Sequence, residues 1–256
     1  MGQRSPSVFV SHGAPTLAIE RAPAAEFLQG LEREIGRPRA ILAVSAHWEE
    51  GHPTVSAAEA PETIHDFGGF PRELYEIRYP APGAPWLAGR VHELLTGAGI
   101  ESQVSPGRGL DHGAWVPLRL AWPAAEIPVT QLSLQWGAGP GEHLRLGQAL
   151  APLREEGVLI LGSGSAVHNL SVIWRATATL DWAARFDDWL FEKVTAGDAP
   201  ALVEYRSQTP DGRLAHPSEE HLLPLFVAMG AGGTAGRSLH RSWTHANLSM
   251  AAYAFG

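Results

Sequence analysis

The chain has no cysteine among its 256 residues. That absence excludes disulfides, thiolate zinc sites, iron-sulfur ligation and cysteine nucleophiles, so any metal must be held by His, Asp or Glu. Charge is sparse as well: Asp, Glu, Lys and Arg together make up 18%, with a formal net charge of -8. No basic stripe is available to neutralise phosphates, and nucleic acid is not an expected partner. No apolar run approaches the roughly 20 residues that a membrane-spanning helix needs, so no membrane association is expected. The opening residues lack the charged-then-apolar pattern of a secretory leader, and Gly2 is followed by Pro6 where a myristoylation motif wants Ser or Thr. The expectation is a soluble, cytoplasmic chain. Repeats, low-complexity tracts and linkers are missing too, while 45% of the residues are hydrophobic, enough for one large core. Residues 1–256 are therefore expected to form a single domain.

What is present alternates. Buried-strand character, continuous apolar runs bounded by Gly, Pro or polar residues, occurs at Ser7–Val10, Ala40–Val44, Ile127–Leu134 and Val158–Leu161. Between these runs lie amphipathic stretches at Ala24–Ile35, Pro85–Leu95, His143–Leu153 and Trp182–Val194. In the last, Trp182, Phe186, Trp189, Leu190 and Val194 fall on one helical face. Strands that are apolar on both faces and alternate with helices predict an α/β fold, a mostly parallel sheet with helices on both sides. A final helix is expected from a Ser218 cap to a stop at Gly230, which puts His221 in its first turn. The stretch from Pro61 to Pro85 fits no regular element and is crowded with Gly, Pro and aromatic residues. Its length predicts a functional loop rather than a plain connection.

Of 12 histidines, three share a setting. His12 and His47 each follow an apolar strand directly, and His168 follows one after a short glycine-containing turn. In a parallel sheet the carboxyl ends of the strands share one edge, where ligands bind. A lone strand-end histidine is usually a satisfied core side chain, but three in the same setting point to a metal or catalytic site. Imidazoles without thiolates suit Zn, Fe, Cu or Ni. Glu219, Glu220 and His221 at the expected helix start supply further ligands of either type. His52, His92, His143, His216 and His240 lack such context and are read as surface or capping residues.

The motifs SHGAP (11–15), SAHW (45–48), TIHDFGGFPRELYEIRYPAPG (63–83), LDHGAW (110–115), IPVTQLSL (127–134), GSGSAVHNL (162–170), EHLLPL (220–225) and LSM (248–250) run in order along nearly the whole chain. In these the sequence resembles the LigB-like class III extradiol dioxygenases, most closely the subgroup containing DOPA 4,5-dioxygenases. The resemblance implies a three-layer α/β/α sandwich with a metal site at the carboxyl edge of the strands. It implies one divalent metal, Fe(II) for activity or Zn(II) as bound, held by His12, His47 and His221. His168 is implied as a fourth ligand or as the catalytic base, and His112 as a neighbour of oxygen or of a substrate hydroxyl. The substrates implied are a catechol and O2. Relatives of the LigB type use a glutamate as third ligand, which leaves Glu220 a rival to His221. The 61–85 loop is expected to close over the substrate, with His65 contacting it and Tyr75, Arg78 and Tyr79 either lining the entrance or pinning the loop. Two other readings stay open at this stage: a non-catalytic ligand- or peptide-binding protein on the same scaffold, and a zinc hydrolase.

Overall fold

The computed structural model describes residues 4–173 and 178–256, so Gly2 lies outside the described residues. Ten strands occur among them: β1 (Ser7–Ser11), β2 (Ala40–Glu50), β3 (Thr54–Ser56), β4 (Gln103–Ser105), β5 (Val129–Gln135), β6 (Val158–Gly164), β7 (Gly236–His240), β8 (Trp243–Thr244), β9 (Leu248–Ser249) and β10 (Ala252–Phe255). Eight of them form one sheet in the order β4-β3-β5-β2-β6-β1-β10-β7, and β8 pairs with β9 separately. The centre, β5-β2-β6-β1, is parallel throughout. Antiparallel pairs flank it, β1 with β10 on one side and β5 with β3 on the other.

Alternation along the central strands divides the core in two. Val8, Val10, Ile41, Ala43, Leu159 and Leu161 pack on one side with Leu28 of helix Pro23–Gln29 and Trp115 of helix His112–Ala121. Phe9, Leu42, Val44, Val158 and Ile160 pack on the other with helices Pro85–Gly97, Pro140–Leu150, Asp181–Ala196 and Leu223–Gly232. The result is the expected three-layer sandwich, with each strand buried on both faces as its composition requires.

Several boundaries differ from the sequence reading. The Ala24–Ile35 stretch is two helices, Pro23–Gln29 and Leu31–Ile35, divided at Gly30. The last helix starts at Leu223, not Ser218, and Pro224 falls in its first turn. Proline suits that place because its missing N–H would have had no partner within the helix. His221 therefore precedes the helix. The 61–85 loop carries one short helix, Arg72–Glu76. It is pinned by Tyr79, whose hydroxyl donates to the Trp122 carbonyl at 3.1 Å and whose backbone N–H donates to Thr63 Oγ1 at 2.9 Å. Arg78 donates to the carbonyls of Tyr75 and Ile77, so it too holds the loop. Among the described residues no helix is long and apolar enough to cross a membrane.

Candidate metal centre

Strand β6 is the reason that histidines far apart in sequence meet. Both β1 and β2 pair with it, so that Val10 and Ser45 flank Ser163. His12 follows β1, and its backbone N–H donates to the Gly164 carbonyl at 3.0 Å. His47 lies inside β2, between Val44 and Glu49, where the register against β5 shifts. A bulge of this kind re-aims a side chain that regular pairing would direct elsewhere. The third histidine arrives from the far end of the chain: Ser165 N–H donates to the His221 carbonyl at 2.8 Å. Gly164 permits this approach, because a Cβ there would collide with that same carbonyl.

His12 Nε2 and His47 Nε2 lie 3.1 Å apart. One ligand atom from each of His12, His47 and His221 falls within 4.8 Å of the others. Each ring is held from its opposite edge. Ser163 Oγ donates its only proton to the Gly113 carbonyl, so at 3.1 Å from His12 Nδ1 it must accept, which places the His12 proton on Nδ1. His221 Nδ1 donates to Glu220 Oε1 at 2.9 Å. His47 Nδ1 faces Asp66 Oδ2 at 3.7 Å. These arrangements leave Nε2 free to coordinate: His12 and His221 have the opposite nitrogen hydrogen-bonded, as metal-binding histidines commonly do, and His47 has a carboxylate near it.

Electrostatics agree. Burial, reinforced by the neighbouring imidazoles, holds His12 and His221 well below the ordinary histidine value. Burial brings His47 to about 3 and His168 to about 4. All four are neutral at pH 7, with lone pairs that need a partner. Two nitrogens bonded to one ion at roughly 2.1 Å would sit about 3.0 to 3.4 Å apart for angles from about 90° to tetrahedral, a range that includes the His12–His47 separation of 3.1 Å. The donor set thus fits a divalent transition metal.

The remaining expected residues fall into three groups. His168 stacks on His221, the rings nearly parallel with centroids 3.5 Å apart. It groups with Glu220 and His221 rather than with His12 and His47. Glu220, the rival third ligand, accepts from both His221 Nδ1 and Ser218 Oγ and does not join the His12–His47 group. His112 opens helix His112–Ala121, whose cap is Asp111, a buried carboxylate that also accepts from Ser45 and Gln131. The His112 ring lies 4.0 Å from that of His47. His65 departs from expectation: its Nε2 sits 3.1 Å from the Ile77 carbonyl, and it is not among the residues that line the cavity above the histidines. The loop's own pinning bonds occupy it. His143 and His216, read as surface or capping, are both buried. His143 accepts from Gln135 N–H and donates to the Gly139 carbonyl, and His216 donates to the Ala166 carbonyl.

That cavity measures about 460 Å³, with His12, His47, His112, His168 and His221 in its lining. Phe67 and Phe70 of the 61–85 loop, Leu170, Ile173 and Leu248 supply apolar walls, and His245 and Glu20 add polar ones. Sequence reasoning missed Asp66, Ser163 and His245 as contributors. Asp66 Oδ1 accepts from both the backbone N–H and Nδ1 of His112, at 2.9 and 3.0 Å.

Fold and site together define an α/β protein with a buried histidine cluster fitted to a divalent metal. Residues 5–256 match the family described as the catalytic LigB subunit of aromatic ring-opening dioxygenase, and the chain belongs to that family. Its relatives include a 4,5-DOPA dioxygenase extradiol of Beta vulgaris, 46% identical over 96% of this chain and 95% of that protein. Another of the same description, from Escherichia coli (strain K12), is 39% identical over 89% of this chain and 85% of that protein. An uncharacterized protein of Escherichia coli K12 has a similar structure, with a TM-score of 0.83 and 33% identity over 99% of this chain and all of that one. The chain is an oxidoreductase, a metal-dependent extradiol ring-cleavage dioxygenase. The binding-protein and hydrolase readings are not favoured.

Proposed function

We propose that this enzyme opens a catechol ring of the DOPA type with O2 on a single ferrous ion held by His12, His47 and His221, and that both oxygen atoms enter the product. The observation that carries this reading is the convergence of three neutral imidazoles on the floor of a cavity of about 460 Å³. That volume lies within the range of small-molecule sites.

A free phenol titrates near 10, so ionising it at pH 7 costs about 4 kcal/mol. When bound, the metal supplies Lewis acidity that lowers the pKa of a coordinated oxygen, and in the ferrous state the open positions that O2 chemistry needs. The protein's own groups do the rest. His168, kept neutral by burial, is in the state that accepts a proton, and we assign it as the base for the catechol hydroxyl. Its stacking on His221 keeps it beside the metal-holding nitrogens without competing for them. His112 gives its Nδ1 proton to Asp66, so Nε2 is the nitrogen it offers to the cavity. There its lone pair accepts a hydrogen bond from a substrate hydroxyl. Phe67 and Phe70 cover the ring and exclude water.

Zinc binds such a site readily but has no redox chemistry, so zinc-loaded protein is expected to be inactive. The test is anaerobic loading with Fe(II), followed by mixing with oxygenated buffer and a panel of catechols that includes DOPA. Oxygen uptake with a coloured ring-opened product is expected, and no uptake across the panel would refute the proposal.

A further inference from the structure

The 61–85 loop does more than supply a wall. Its Asp66 carboxylate reaches two rings of the centre: Oδ1 accepts twice from His112, and Oδ2 lies 3.7 Å from His47 Nδ1. The second separation exceeds a hydrogen bond, but a negative charge at that range still favours a proton on the nearer nitrogen. The adjoining residue, Phe67, stands edge-on to the His112 ring at 5.7 Å and also lines the cavity, as do Gly69 and Phe70. One short stretch of loop thus carries both the orienting carboxylate and the substrate-covering aromatics.

We propose that Asp66 is a positioning residue that couples the seating of the aromatic loop to the metal centre, holding His47 and His112 as Nδ1–H tautomers so that both turn Nε2 inward. Without the carboxylate, His112 keeps its place on the helix but loses its tautomer preference. Part of its neutral population would then carry the proton where the cavity needs a lone pair. His47 loses the charge that keeps its Nδ1 protonated and its Nε2 free for the metal. Loop displacement has the same effect as removal of the side chain, because the carboxylate travels with Phe67.

This inference rests on the reading of His47 as a ligand, and the experiment separates the two. Histidine-selective ¹⁵N NMR of the full-length protein, with and without zinc, reads each tautomer, and zinc affinity and steady-state kinetics of the iron form are measured in parallel. The Asp66→Asn variant keeps an oxygen for His112 but removes the charge from His47, and zinc affinity is expected to fall about tenfold with the His112 signal retained. For Asp66→Ala, the His112 Nδ1–H signal is expected to disappear and kcat to fall about 10- to 100-fold. Phe67→Ala is the control for a mere wall: KM rises while tautomers and zinc affinity stay. If Asp66→Ala keeps both tautomers and changes only KM, as the control does, the inference is overturned. Should that variant fail to fold, unchanged zinc affinity in Asp66→Asn overturns it instead. Failure of the wild-type protein to take up zinc would sink the ligand reading, whereas the His112 tautomer, which needs no metal, would still decide the role of Asp66.

Discussion

The two walls of the cavity are built on different principles. The sheet wall carries His12, His47 and His221 around β6, and its supporting groups, Ser163, Gly164 and Ser165, are all buried in the central layer. The loop wall carries Asp66, Phe67 and Phe70 on a segment with one short helix, held by scattered side-chain bonds. Parallel pairing fixes the first to within a register, while the second depends on contacts that can be lost one at a time. In the proposed reading the sheet wall would hold the metal and the loop wall would cover the substrate, a division that suits a preorganised site.

Substitutions that strip the sheet wall test this division most severely. His12→Ala or His47→Ala should abolish metal retention, read by elemental analysis after desalting; stoichiometric metal in either variant would end the assignment. His168→Ala should keep the metal yet slow turnover by about 10²- to 10⁴-fold. Equal metal loss there would make His168 a ligand and move it to the first group.

Removing the hydroxyl in Ser163→Ala frees the His12 ring to choose its tautomer, and metal affinity should fall about 10- to 100-fold by competition with a chelator. Acid separates the walls in a different way. The histidines of the sheet wall are neutral when folded and protonate near 6.5 when unfolded, so the unfolded state binds more protons as pH falls. Stability of the metal-free protein should therefore be full above about 6.5 and decline toward pH 4, by up to about 1.4 kcal/mol per pH unit for each such ring. The Asp66–His112 contact, with the carboxylate lowered to about 2, should outlast that decline. Thermal melts across this window check the sign, and a melting temperature that is flat or rises on acidification would contradict it. The smallest change is expected on the loop wall, where Phe67→Ala should raise KM several-fold, about 1 kcal/mol of aromatic contact, with kcat and metal content unaltered.

The sheet wall was also the more legible in sequence. β1, β2, β5 and β6 were readable because their residues are apolar on both faces, and His12 could be placed because strand ends share an edge, whereas His47, expected just after its strand, lies inside β2 at a register shift. The short flanking strands escaped, β3 and β4 being three residues each and rich in Ser and Thr. Helix His112–Ala121 escaped as well, since Gly113 and Pro117 argue against a helix that tertiary packing nevertheless enforces. His221 was named as a candidate but placed within a helix, because Ser218 resembles a cap while the proline that marks the true start lies further on. The orienting partners left no trace. Ser163 with His12, or Asp66 with His112, are pairings across long sequence separations that no periodicity encodes. His245 lies at φ +48° in a turn between β8 and β9, where nothing in its neighbours hints at a cavity.

Pairing of β1 with β10 sets Ser7 opposite Phe255, so the earliest and latest strands lie side by side. The three clustered histidines are equally scattered, His12 and His47 standing far before His221 in the sequence. Until β6 and the segment around His221 have folded against β1 and β2, these imidazoles do not meet, so a cluster able to hold a cation would exist only in the folded domain. Metal binding would then report on folding itself, since a partly folded chain offers its donors one at a time.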